Sequence, residues 1–528
     1  AGRGLLRVDV TVRNPRPAVH AGGLWDLGDP GSVLVKELSL VAGLAATAEG
    51  LGCTFTAEPD DEGAEAPGGQ VEIYQDSSGG ERWNARTHVN REGRVPCSFR
   101  GYRVRTMEET RYGHRASPTL WATGPEGGLG ATVREFWQCF PKALEAARGQ
   151  VRVGLWPGQH GDVHEIQGGE QKTHTVWLSV EDPHEDDLRF VHIPLVARST
   201  PEHYVASGAF PFLVEWDRDE AAPLLELTSV AVDEERGFAA RREIIDEYGW
   251  RNYGDVYADH EAIGWEGAEP LVSHYNNQYD GCYAALAHFA RSGDSRWLRL
   301  GDAMARHLAD IDVYHTKQDR PAFNQGPFWH TDHYTDAGTS THRCYTRLAP
   351  QAEGGGYGGG PSNEHDYVTG MAVHYLMTGW VPSRDAACKV ADWVIDSDDG
   401  ELTRLGKVLR GPTGMASQTV DTYYNGPGRG AGNSIRTLLD AHDLTDNDRY
   451  LDKAEELIRR VIHPDDDREA LGLATSPEHR WSYTVALMEL AHFLEVKRSR
   501  GEIDEGYAYA QETLLEYARW MRSEERLS

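Results

Sequence analysis

The sequence predicts a protein of two parts, a β-sandwich followed by an α/α toroid, either incomplete or closed as an (α/α)6-like barrel. Three observations carry this reading. Apolar and polar residues alternate with period two through residues 1–235, the period lengthens to that of a helix from 236 to 528, and the connections between the later helices hold most of the His, Asn and aromatic-rich motifs.

Taken in order, Leu6, Val8, Val10 and Val12 alternate with Arg7, Asp9, Thr11 and Arg13, which is a strand with one buried face. Val151, Val153 and Leu155 repeat the pattern, as do His174, Val176, Leu178 and Val180, and turn-rich stretches at 58–69 and 76–80 separate such runs. A short helical insertion is expected over 133–147. In the second half Trp297, Leu300, Met304 and Leu308 follow helical spacing, and so do Tyr450, Ala454, Leu457 and Val461. Polar clusters at 292–294 and 445–448 mark the starts of these helices, and Ser383-Arg384-Asp385 marks a third before 386–395. The run 485–494 is apolar on nearly every side, as in a helix packed between neighbours. About ten helices are expected after residue 236. Paired helices with long inserts suit a solenoid or a toroid. The glycine-rich 354–360 and the aromatic 321–333 are too elaborate for spacers, and this favours the toroid.

The chain has 528 residues and a formal charge of -30, from 83 acids against 53 bases. That balance disfavours nucleic acid and anionic membrane surfaces as partners, and it requires any site for a polyanionic sugar to concentrate positive charge locally. No apolar run reaches the roughly 18 residues of a spanning helix. Six cysteines (Cys53, Cys97, Cys139, Cys282, Cys344, Cys388) show no CxxC and no zinc-like spacing, leaving free thiols or long-range disulfides open. The chain runs from Ala-Gly-Arg-Gly directly into a strand pattern, so no signal peptide is expected in it, and either a cytoplasmic or a secreted setting fits.

Five segments of the second half combine aromatic platforms, amides and titratable groups. The first, 249–261, holds Trp250, Arg251, Asn252, Asp255, His260 and Glu261, where a guanidinium can grip a carboxylate bidentately. The second, 273–281, contains His274, Tyr275, Asn276, Asn277 and Asp280; Asp280 reads better as a helix cap than as a catalytic group. The third contains Trp329, His330, Asp332, His333, Tyr334 and Asp336, followed by His342 and Arg343. Its His and Asp residues could ligate a metal but lack zincin spacing, so proton transfer or substrate contact is preferred. The fourth follows the glycine-rich loop with Glu364, His365 and Asp366, which could equally begin the helix running through His374. The fifth holds Tyr424 and Arg429. In the β half, 20–32 and 158–174 are candidate walls of the same cleft, with Trp25 assigned to the core.

Residues 22–32, the run Gln167-Gly168-Gly169-Glu170-Gln171-Lys172-Thr173 and above all 248–255 through His260-Glu261 resemble the exo-rhamnogalacturonan lyase group, polysaccharide lyase family 26 and its bacterial relatives. The resemblance implies a β-sandwich and an α/α toroid preceded by further β structure, and β-elimination on a uronic acid within a pectin-type chain. Such chemistry needs a carboxylate grip, a base for the C5 proton and an acid for the leaving oxygen. On this reading Arg251, Asn276 and Arg343 grip the carboxylate, His330 is the base and Tyr334 the acid, and His274 and His365 are alternatives for either role. Trp329, Tyr275, Glu364, Tyr424 and Arg429 contact the sugar. No cofactor and no metal ligand is assigned, although a divalent cation such as calcium is compatible. The rivals are a glycoside hydrolase using Asp255, Glu261, Asp280 or Glu364 as paired carboxylates, and a carbohydrate-binding protein without turnover.

Overall fold

The computed structural model describes the chain except for residues 1–3, 45–49, 126, 181–187, 211–212, 258–265, 331–336, 344–346, 348–359, 405, 407–410, 419–425 and 526–528. The first lobe comprises strands β1 (Leu5–Arg13), β2 (Val33–Val35), β3 (Leu38–Gly43), β4 (Gly52–Thr56), β5 (Ala64–Glu65), β6 (Val71–Gln75), β7 (Tyr102–Thr106), β8 (Thr110–Gly113), β9 (Thr119–Gly124), β10 (Gly127–Val133), β11 (Lys142–Ala147), β12 (Gln150–Trp156), β13 (His164–Ile166) and β14 (Gln171–Ser179). They form two six-stranded antiparallel sheets, β1-β14-β10-β9-β4-β5 and β3-β12-β11-β6-β7-β8, and a ribbon β13-β2.

Alternation explains the packing of the sheets. Phe55, Leu120, Ala131 and Val176 of one sheet and Ile73, Val104, Leu144 and Val153 of the other share one core. Each such side chain removed from water contributes roughly 1.5–3 kcal/mol. Val8 and Val10 pack against this core, while Leu6, on the edge strand β1, stays 55% exposed. The helix expected over 133–147 is instead the end of β10, a turn and β11. Leu144 pairs with both Ile73 and Val153, and β11, Lys-Ala-Leu-Glu-Ala-Ala, is made of good helix formers that cross-strand pairing holds extended.

Helices begin before residue 236, with α1 (Pro201–Ser207) and α2 (Ala222–Ser229) ahead of α3 (Phe238–Ile245). Four pairs follow: α4 (Gly281–Ser292) with α5 (Ser295–His307), α6 (Thr369–Thr378) with α7 (Val381–Asp398), α8 (Arg429–Thr445) with α9 (Asp448–Val461), and α10 (His479–Ser499) with α11 (Glu505–Glu524). Among the described residues this makes nine α-helices after residue 236. The first members α4, α6, α8 and α10 touch in succession around a core that includes Leu286, Phe289, Met304, Trp393, Leu438, Leu457 and Leu490.

Caps stand where the polar clusters put them. Asp294 accepts from Arg296 N and Asn447 from Arg449 N. The third start is displaced, because α7 opens at Val381 with a proline in its first turn, ahead of Ser383. Helix α10 is not buried all round: Met488 is 66% exposed. Helix α6 lies close to α4 because Gly370 has no side chain; a Cβ there would meet Tyr283 N at 2.6 Å and Asp280 Oδ1 at 2.7 Å.

The turn 167–170 of the first lobe is seated in the second. Thr341 Oγ1 donates to Gln167 Oε1 at 2.9 Å, Arg343 Nη1 to Gly168 O at 2.7 Å, and His315 N to Gly169 O at 2.8 Å. Gly169 has φ of +68°, and a Cβ would lie 2.4 Å from the Tyr314 ring, so glycine is required there. A π-helical turn, Leu308–Asp312, extends α5 and brings Asp310 to β14, where it accepts from Gln171 Nε2, Thr173 N and Thr173 Oγ1. No helix among the described residues is long and apolar enough to cross a membrane. Cys53, Cys97, Cys139, Cys282 and Cys388 are free thiols, and Cys344 lies outside the described residues.

Candidate functional site

Within each helix pair the link is short, whereas long segments enter α4, α6, α8 and α10 at their N-termini. The candidate residues of the second half therefore gather at one end of the helical lobe. Two clusters form there, joined by Asn276.

The first cluster lies under exposed aromatic rings. His330 and His365 have ring centroids 5.0 Å apart, and His365 lies 6.0 Å from the Tyr367 ring. Glu364 Oε2 accepts from Arg429 Nη2 at 2.7 Å, and Arg429 lies over the Trp481 ring at 5.3 Å. Tyr279, 56% exposed, faces Tyr367 and Trp481 at 6.4 and 6.3 Å. Thus α4, α6, α8 and α10 each bring their N-terminal residues to one place. Burial, with His330 next in weight, holds the His365 imidazole well below its ordinary value, so it is neutral at neutral pH. Burial pushes the Tyr367 phenol up to about 12, so it keeps its proton.

The approach to α4 is bent to make this possible. Asn276, Asn277, Tyr279 and Asp280 all have positive φ, between 46° and 58°. Left-handed backbone costs roughly 1–2 kcal/mol per residue. The surroundings hold it: Asn277 Oδ1 accepts from Cys282 N, and Asp280 accepts from Tyr283 N and pairs with Arg436 at 3.1 Å. Asp280 is the α4 cap, as its position before the helix suggested. Glu364, His365 and Asp366 do not begin α6, which starts at Thr369; they form the loop before it.

The second cluster is sealed. His274 and His342 have ring centroids 3.9 Å apart, and His307 lies 4.5 Å from His342. Around them stand Glu247, Asp255 and Asp312, all six residues being at most 2% exposed. Burial pushes the Asp255 and Glu247 carboxyls upward and the His274 imidazole down to about 3. Asn276 Nδ2 donates to Trp329 O and His342 O, and its backbone carbonyl lies 3.4 Å from His365 Nδ1, which ties the two clusters together.

The remaining candidates are committed within the protein. Arg251 is held by Glu170, at 2.6 and 3.1 Å, and by Glu165 O. Arg343 is 1% exposed and lies over Phe328 at 4.9 Å. Tyr275 packs against the helical core while its N donates to Asp255 Oδ2. Trp329 is buried beside His330. Tyr334 and Tyr424, with Asp332, His333, Asp336, His260 and Glu261, lie outside the described residues. A small cleft between the lobes is lined by Leu27, 87–91 and 160–165 from the β half and by 248–252 from the helical half. The segments 20–32 and 158–174 thus reach an interlobe cleft, on the Arg251 side. Trp25 is core, packed against Tyr314, Phe323 and Phe328.

Three residues of the first cluster, Tyr279, Tyr367 and Trp481, were not singled out from sequence. Tyr279 and Tyr367 lie inside nominated segments without a role of their own, while Trp481 sits in the first turn of α10, beside His479 and Arg480, in a stretch that was not nominated. In the sealed cluster, His307 and Asp312 read simply as helix residues.

No protein-family model matches the chain. It is similar to the uncharacterized protein YetA of Bacillus subtilis (strain 168), at 21% identity over 240 residues, a stretch that covers 39% of this chain and 28% of YetA. Among solved structures, a TPR-domain containing protein from Parabacteroides distasonis ATCC 8503 aligns with 90% of this chain and 69% of its own, at 10% identity and a TM-score of 0.19.

Proposed function

We propose that the protein is a polysaccharide lyase, built on a β-sandwich and an α/α toroid, that cleaves a uronate-containing glycan of the pectin type by β-elimination. The observation that carries this reading is the gathering of His330, His365, Tyr367, Glu364 and Arg429 beneath exposed Tyr279 and Trp481 at the N-termini of four adjacent helices. Helix N-termini and an arginine favour an anionic group, and exposed rings suit a sugar face.

In this reading Arg429, which also pairs with Glu364, meets the uronate carboxylate, whereas Asn276, 1% exposed and donating both amide protons to Trp329 O and His342 O, joins the two clusters rather than the grip. An imidazole, His330 first and His365 as alternative, takes the C5 proton. The electron pair forms the C4–C5 double bond, the C4–O bond breaks, and the leaving oxygen takes a proton from Tyr367 or Tyr334. Arg251 and Arg343, committed to Glu170 and Gly168, become supports of the lobe junction rather than the grip.

Incubating the protein with a panel of acidic polysaccharides tests the proposal. A product absorbing in the near ultraviolet, lost in His330→Ala, is expected. Turnover with reducing ends but no absorbance identifies a hydrolase, and binding without product identifies a carbohydrate-binding protein. Full lyase activity in His330→Ala removes His330 from the base role. Of the hydrolase carboxylates, Asp280 caps α4, Asp255 is sealed and Glu364 is paired with Arg429, while Glu261 lies outside the described residues.

A further inference from the structure

The sealed cluster has hydrogen-bonding that a protein alone satisfies poorly. Asn276 Nδ2 donates to two carbonyls, at 2.8 and 2.9 Å, and this fixes its Oδ1 as the atom facing His342 Nδ1 at 3.4 Å. Asn252 Nδ2 donates to Thr87 O, so its Oδ1 faces His342 Nε2, at 3.0 Å, as an acceptor. The proton of a neutral His342 therefore sits on Nε2, and Nδ1 presents a lone pair. That lone pair points into a group of further acceptors: Asn276 Oδ1, Asp255 Oδ2 at 3.4 Å and Asp312 Oδ1 at 4.0 Å. Acceptors facing acceptors in a buried site call for a cation between them.

The spacing fits. Two ligands bound at the usual 2.0–2.1 Å to one tetrahedral ion stand about 3.3 Å apart. His307 Nε2 lies 3.1 Å from Asp312 Oδ1, and His274 Nδ1 lies 3.8 Å from Glu247 Oε1. The approach of His307 to Asp312 lacks the alignment of a hydrogen bond, and both oxygens of Asp312 and of Glu247 are buried without one. Two triplets, Asp255-His274-His342 and His307-Asp312-His342, each place their ligand atoms within 4.8 Å of one another, and both contain His342.

We propose that His342 Nδ1, Asp255 and His274, with His307 and Asp312 beside them, form a closed structural site for one divalent first-row transition-metal ion. Imidazole ligands favour zinc, iron or another late first-row ion over calcium, which prefers an all-oxygen shell, and the carboxylates beside them also admit manganese. Full burial leaves no open position for substrate, so the ion binds 252–255, 274–276, 307–312 and 342 into one junction, and its binding energy adds to folding. This proposal is independent of the lyase reading, because its readout is metal content.

The test loads the full chain separately with Zn2+, Mn2+ and Co2+, removes free ion by gel filtration and measures metal per chain. One equivalent of at least one ion is expected, with visible d–d absorption in the Co2+ form. His342→Gln and Asp255→Asn should lose the bound metal, and His463→Gln, remote from the cluster, should keep it. Asn252→Ala, which removes the orienting partner of His342, should weaken binding about 10–100-fold and serves if the ligand variants do not fold. Substoichiometric metal with all three ions overturns the proposal, as does metal content in His342→Gln equal to that of the parent.

Discussion

The two clusters at the N-terminal ends of α4, α6, α8 and α10 use the same residue types to opposite ends. His274, His307 and His342 are buried with three carboxylates and bind segments of backbone together, whereas His330 and His365 lie beneath Tyr279 and Trp481, which are 56% and 37% exposed. A histidine motif is therefore not a functional site by composition. What separates the two is their surroundings: His274, His307 and His342 face buried carboxylates, whereas His330 and His365, themselves 7% and 3% exposed, adjoin Tyr367, whose ring neighbours the exposed Tyr279.

Four experiments sharpen this contrast. Reaction chemistry gives the largest expected effect: His330→Ala should lower lyase turnover about 10²–10⁴-fold, while His274→Gln should act through stability, visible as a lower unfolding midpoint. Next, Glu170→Ala should destabilise the protein by about 3–5 kcal/mol in denaturant unfolding, because it strands the buried Arg251 charge. If Arg251 were instead the uronate grip, the same variant would alter KM with little change in stability. Third, Trp481→Ala should raise KM severalfold and leave stability within about 1 kcal/mol, since the ring is at the rim and its stacking with Arg429 is worth roughly 0.5–1 kcal/mol.

The smallest effect concerns a histidine of a third kind. In both clusters burial holds imidazoles such as His274 and His365 neutral, but at His492 the carboxylates of Glu489, at 3.2 Å, and Asp443, at 3.9 Å, outweigh burial and raise it to about 10. A group whose folded value is raised stabilises fully below its unfolded value, near 6.5, and loses that contribution as pH climbs through about 10. His492→Gln should therefore cost stability at pH 6 and progressively less towards pH 10. An unchanged difference across that range would mean that burial wins there too.

Local pattern by itself determined the order of the molecule, strands before helices, along with the caps Asp280, Asp294 and Asn447 and the core role of Trp25, because periodicity and capping depend on residues a few positions apart. The same local logic misread 133–147, where Ala, Leu and Glu, all good helix formers, are held as a strand by pairing with β6 and β12. It nominated His274, His330, His365 and Arg429 but could not sort them. Only the tertiary structure decided that Arg251 is spent on Glu170, that His307 and Asp312 join His342 across a π-helical turn, and that Trp481 closes over Arg429. Those contacts join residues about 30 to 81 positions apart, and their partners are chosen by how the helices and the 167–170 turn pack, which no short window of sequence encodes.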